Sequence, residues 1–224
     1  MHEPLAPAER KAQRQANRRS QSRIEILDAA ERVFGEYGLR DGSTRKIAYE
    51  SGFSTASIYV LFENKKQLLA ETLIRRSDEL AAITRASVDP LRSPLANLHL
   101  TFNAAIDFFG ARPSFRLMLR QIRGGPTITW PILEEYSEEV HKRSLDAMDF
   151  ISDIIRQGQE NGEIRSGNSY ALAHLVSMLV TEFISFDAEP NGTLSRSEFH
   201  DFIDGSLRAV DAPASIIIED QTTQ

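Results

Sequence analysis

An all-α fold is predicted for this chain of 224 residues. Three observations predict it. Period-2 alternation of apolar and polar residues is scarce, and Gly and Pro fall between helical stretches. One run near the N-terminus, Ser43 to Tyr59, has the spacing of two short helices around a tight turn. Hydrophobic residues make up 41% of the chain, enough for a buried core, and charged residues 26%, ordinary for a water-exposed surface.

The elements follow in order. Residues 1–22 form a basic arm. The run from Arg10 to Arg23 holds Arg10, Lys11, Arg14, Arg18, Arg19 and Arg23 with no acidic residue among them. Such a run tracks phosphates or enters a minor groove, or else is a disordered, solvated tail. The first twenty residues lack the apolar stretch of a secretory signal. Ile24, Leu27, Ala30, Val33, Phe34 and Tyr37 then form a helical apolar stripe, ended by Gly38. Ser43 or Thr44 caps the next helix. Ile47 faces inward, and Ala48 is small where two helices cross. Gly52 sits where a tight turn needs positive φ. Phe53 plugs the corner, Ser54 caps the following helix, and Ile58 and Leu61 give it an apolar face. Phe62 to Leu69 reads as a helix end and an Asn64-capped start. Two helices in this register make a helix-turn-helix, whose second helix enters the DNA major groove. The alternative is an ordinary helical hairpin packing a core.

The run Phe34-x-x-x-Gly38, then Gly42-Ser43-Thr44-x-x-Ile47-Ala48, then Gly52-Phe53-Ser54-x-x-x-Ile58-Tyr59-x-x-Phe62-x-Asn64-Lys65-x-x-Leu68 resembles the DNA-binding domain of the TetR family of bacterial transcriptional regulators. The resemblance covers about residues 20–72. It implies three small N-terminal helices that bind DNA, a long linking helix, and a larger helical domain that binds a small effector and makes a dimer. The expected division is therefore 1–22 arm, 23–70 helix-turn-helix domain, 71–212 effector-binding and dimerisation domain, and 213–224 tail. Ala56, Val60 and Leu61 depart from the residue types common in the family, on or near the face turned to DNA.

Residue roles follow from chemistry and from the match. Arg45 is the candidate base reader, because Arg bonds bidentately to guanine O6 and N7; a phosphate contact is the alternative. Thr44, at a helix N-terminus, suits phosphate. The family match implies phosphate contacts for Tyr59 and Lys65. Ser54, Thr55, Ala56 and Ser57 open the reading helix with short side chains that allow close approach and thymine-methyl contact. Part of the specificity is then expected from DNA shape.

Beyond this run the chain reads as helices at about Lys65–Ala86, Leu95–Phe109, Ser114–Arg123, Trp130–Gln159, Ser169–Phe186 and Ser195–Val210. Phe102, Phe109, Met118, Trp130, Phe150 and Met178, together with Phe115 and Phe183, are candidates to line an apolar effector pocket; most aromatics at helical spacing are simply core. His99, His174 and Glu182 are candidate polar anchors. The last two long helices are apolar over broad arcs, which the resemblance assigns to a homodimer interface. The expected partners are a palindromic duplex, an apolar or aromatic small molecule and a second copy, with no membrane.

Charge supports this division. Residues 1–76 hold 14 Lys/Arg against 10 Asp/Glu, and the remainder 12 against 22, within a net charge of −6. A globally acidic protein binds DNA when its basic residues face the duplex. The absence of cysteine excludes disulfides, thiolate catalysis and thiolate-held zinc, and accords with a cytoplasmic location. An enzyme is disfavoured and no cofactor is expected. Glu138-x-x-His141 has no second copy, so a di-iron bundle lacks its ligands. The residues thus point to a ligand-released repressor, with an activator or a co-repressor-dependent regulator as alternatives.

Overall fold

The computed structural model describes residues 6–124, 136–186 and 194–209. Among them it has nine helices: α1 (Pro7–Asp41), α2 (Thr44–Ser51), α3 (Thr55–Leu61), α4 (Lys65–Ala86), α5 (Pro94–Gly110), α6 (Pro113–Gly124), α7 (Ser137–Glu160), α8 (Ser169–Phe186) and α9 (Arg196–Leu207). They fall into two compact units. The first comprises Met1–Glu79 and Ala111–Arg143, the second Leu80–Gly110 and Ser144–Gln224. Helix α6 groups with the N-terminal unit.

In the first unit α1 is far longer than the apolar stripe required. It begins at Ala6, whose N–H donates to the Glu9 carboxylate at 2.8 Å, and Pro7 sits at its first position, where no N–H is needed. Residues 10–21 are helical and exposed, so the basic run is part of α1. Ile26, Leu27, Ala29, Ala30, Val33 and Phe34 make the buried face. Ile24 and Tyr37 lie at its exposed rim rather than inside. Gly38 interrupts the helix at φ 78°, and the chain recovers one short turn before Gly42. Gly35 faces α6: a Cβ there would stand 2.5 Å from the Ser114 carbonyl oxygen. The Gln121 side-chain amide donates to the Gly35 carbonyl at 3.1 Å. The absence of a side chain therefore sets how closely α1 and α6 approach.

Ion pairs join α1, α4 and α6 in this unit. Arg76 bridges Glu31 at 2.6 Å, Asp28 at 3.1 Å and Glu79 at 2.8 Å, while Arg75 pairs with Asp28 and Arg112 with Glu79. Burial alone would push the Glu79 carboxyl up, but Arg76 and Arg112 outweigh it and hold it below its ordinary value.

The second unit buries Leu98, Phe102 and Ile106 of α5, Ile151, Ile154 and Ile155 of α7, Val176, Val180 and Ile184 of α8, and Phe199, Ile203 and Leu207 of α9 in one core. Glu163 is buried because it closes the start of α5: its carboxylate accepts the Ser93 hydroxyl at 2.6 Å and the Leu95 N–H at 3.0 Å. The segment beside it also ends α9. Arg165 N–H donates to the Leu207 carbonyl and Ala209 N–H to the Glu163 carbonyl, so the chain turns extended at Arg208, short of the expected Val210.

The apolar α8 is not buried all round. Ala173, Val176, Val180 and Ile184 face the core, while Ala171, Leu175, Met178 and Glu182 form an exposed stripe. Met178, expected inside a pocket, is 57% exposed. Met118 is buried, but on α6 in the first unit. Phe102 belongs to the core of the second unit, and Phe109 and Phe150 pack against that core. Trp130 lies outside the described residues, as does the expected start of its helix.

Candidate nucleic-acid interface

Local chemistry builds the two small helices as the spacing predicts. Ser43 is the cap of α2, its hydroxyl accepting the Lys46 N–H at 3.3 Å. Gly52 ends that helix at φ 72° and ψ 9°, a conformation that costs an L side chain about 1–2 kcal/mol. Ser54 caps α3: its oxygen accepts the Ser57 N–H at 3.0 Å, and the two hydroxyls lie 2.8 Å apart. Ile47, Ala48, Ile58 and Phe62 are buried beneath them, whereas Phe53 and Leu61 are only half-buried. Asn64 accepts the Gln67 N–H at 2.9 Å and so opens α4.

What remains outside is a compact outer surface. On α2, Arg45 is exposed, and Tyr49 four residues on is 91% exposed. On α3, Ala56, Tyr59 and Val60 share one exposed face, Val60 at 74%. Thr44 and Tyr59, predicted separately, are brought together: the Tyr59 hydroxyl donates to Thr44 Oγ1 across 3.5 Å, a long contact. Thr44 itself is buried, and Thr55 is half-buried. An open cavity of about 350 Å³ between α1 and α2 is lined by Arg45, Lys46, Tyr49 and Tyr37 among others. Lys46 places its ammonium 3.6 Å from the centre of the Tyr37 ring.

Two residues behave differently from expectation. Lys65 donates to the Arg40 carbonyl at 3.1 Å, at the end of α1, and burial lowers its pKa against the opposing pull of Asp41. Its charge therefore satisfies a helix end in the free protein. Arg23, counted in the basic run, turns inward. Its guanidinium bonds the Leu61 carbonyl, pairs with Glu71 and lies 4.3 Å over the Phe62 ring. Arg23 thus ties the end of α3 to α4. Ser54 and Ser57 likewise commit their hydroxyls to the start of α3. Tyr49 is absent from the candidates that the sequence suggests, although helical arithmetic reaches it: with Ile47 and Ala48 turned in, a residue four after Arg45 must turn out.

Residues 26–72, the segment that makes this surface, match the family described as bacterial regulatory proteins, tetR family. This segment carries the likeness to the TetR family. The TetR-family match agrees with a relative: the HTH-type transcriptional repressor KstR2 of Mycobacterium tuberculosis is 35% identical over 85 residues. That alignment covers 38% of this chain and spans 42% of the repressor's length. The fold is shared more widely. The structure of the ketosteroid transcriptional regulator KstR2 of Mycobacterium tuberculosis superimposes with a TM-score of 0.61 at 22% identity, covering 83% of this chain and 94% of that one. AibR, solved in complex with isovaleryl coenzyme A and operator DNA, gives 0.66 at 20% identity, covering 84% and 98%. At such identities the structural likeness establishes the all-α fold.

Proposed function

We propose that this TetR-family chain is a dimeric, sequence-specific DNA-binding repressor released from an approximately palindromic operator by a small apolar or aromatic organic molecule. The observation that carries the reading is the exposed face of Arg45, Tyr49, Ala56, Tyr59 and Val60, on two helices whose inner sides are buried and whose ends are capped. A face of this kind fits the major groove. Arg45 supplies bonds to a guanine edge, while Ala56 and Val60 supply apolar contact to thymine methyls. Thr44 and the Tyr59 hydroxyl take a phosphate between them, and Lys65 reaches a second by leaving the Arg40 carbonyl. Ser54, Thr55 and Ser57 set the close approach of the helix start.

Dimerisation is supported by Leu175, Met178 and Phe202, large apolar residues left exposed on α8 and α9. A two-fold dimer would present its reading helices to half-sites about 34–36 Å apart, one DNA turn. Effector release follows from linkage: a ligand that favours a conformer with another spacing weakens DNA binding by the factor by which DNA weakens ligand binding. Phe102, Phe109 and Phe150, the proposed apolar lining, lie in or against the core of the second unit. Of the similar structures, one is named a ketosteroid transcriptional regulator, and another was solved with isovaleryl coenzyme A, whose acyl end is apolar. The test is selection of bound duplexes from a random pool, followed by a screen for compounds that release the winner. A palindromic consensus and at least one releasing compound are expected. Equal retention of all duplexes would overturn the reading.

A further inference from the structure

We infer that the N-terminal half of α1 is a second DNA-binding element, a basic helical rod that lies along the phosphates flanking the bases read by α3. The inference rests on the DNA-binding reading above and adds a contact surface to it.

Residues 10–21 are exposed throughout, so no tertiary packing explains this stretch of helix. Arg10, Arg14 and Arg18 recur every four residues and stack on one side. At 100° per residue, Lys11 and Arg19 fall on the same half of the circumference. The opposite half carries Glu9, Ala12, Ala16 and Ser20. Among the described residues, none of the five cations has an ion-pair partner, whereas Arg23, Arg32, Arg75 and Arg76 of the same unit are all paired. The cations of the rod are thus available to an external polyanion.

The chemistry selects a duplex backbone. A membrane-surface helix needs large apolar residues opposite its charges, and this one offers Ala and Ser. A partner helix would need an apolar stripe, which is also missing. Residues 7–22 span roughly 24 Å of helix, long enough to follow several phosphates. The rod also leaves the domain beside the reading surface, because Arg23 bonds the carbonyl of Leu61 at the end of α3.

The experiment compares the full chain with the triple variant Arg10→Gln, Arg14→Gln, Arg18→Gln, which keeps good helix formers at all three positions. Affinity for the duplex selected from the random pool is measured across a salt series. The log–log slope is expected to flatten by about 0.9 for each phosphate that is no longer neutralised, about 2.7 per bound protomer. The base preferences of the pool should not change. A duplex lengthened beyond the selected consensus should bind the wild type more tightly than a trimmed one, and this advantage should shrink in the variant, which keeps Lys11 and Arg19. Thermal unfolding should be unaltered, which checks that the variant folds. An unaltered slope in a chain that still selects its duplex would overturn this inference alone. Failure of the wild type to prefer any duplex would instead remove the reading beneath it. Loss of binding to anionic vesicles in the variant, with its DNA slope intact, would assign the rod to a lipid surface and overturn the proposal.

Discussion

Arg45 and Lys65 carry the same formal charge in very different settings. Arg45 stands in solvent with nothing to satisfy, so replacing it should leave the fold intact. Arg45→Ala is expected to relax the preference at one base pair by about 1–3 kcal/mol, read by binding to a panel of single-base operator variants. A uniform loss across the panel would mean that it holds a phosphate. Lys65 closes a helix end, so Lys65→Met should lower stability by about 1 kcal/mol, seen in thermal unfolding. The same variant should flatten the salt slope of DNA binding by about 0.9 if the ammonium also reaches a phosphate. His200 makes a third case. Its Nε2 meets the Asn103 side chain at 3.0 Å, its Nδ1 is buried without a partner, and the His99 ring lies 4.3 Å away. Burial first, then His99 and Arg196, push its pKa below 6.5 against the opposing carboxylates of Asp204 and Asp201. The unfolded chain therefore takes up a proton that the fold refuses, and stability should fall as pH drops below about 6.5. His200→Gln should remove that part of the pH dependence, measured by denaturant titration at several pH values.

At the scale of elements, α1 and α6 meet at a contact with no room for a methyl group. Gly35→Ala would set a Cβ against the Ser114 backbone, where neither partner is a flexible side-chain tip. It is expected to cost about 1–3 kcal/mol, visible as a lowered denaturation midpoint. Gly52→Ala meets no neighbour, so its cost is only that of positive φ, and Gly52→Asn should cost less. The contrast explains what was legible in the sequence. The turn at Gly52, the caps at Ser43, Ser54 and Asn64, and the bounds of α4 and α8 are local, and short-range chemistry dictates them. Gly35 gave no local cue, since its reason lies some eighty residues away on α6. The inward turn of Arg23 was hidden for the same reason: its partners, Leu61 and Glu71, are distant in sequence. A run of like charges looks uniform until tertiary contacts divide it. Helical periodicity showed that α8 and α9 were strongly apolar, but not that Met178 faces out.

For the whole molecule, the proposed pairing of subunits rests on the exposed stripe of α8. Met178→Glu combined with Leu175→Glu should leave the core of the second unit intact, because Ala173, Val176 and Val180 point the other way. The doubly substituted chain is expected to sediment as a monomer and to lose the tight binding that two linked half-sites provide. A variant that remains dimeric would move the interface elsewhere. The residues proposed to read DNA and those proposed to pair subunits belong to different compact units. Substitutions in one are therefore expected to add to substitutions in the other, apart from effects carried by the effector.

The proposed reading helix, α3, has seven residues, fewer than two turns, and a free segment of that length would not hold its shape in water. Its far end is closed by a guanidinium that is itself held by a carboxylate and a ring. If α3 reads DNA as proposed, a population that exchanges Arg23 or Glu71 would shift operator choice while every base-facing side chain stayed the same. Its target would then diverge from behind the surface that touches it.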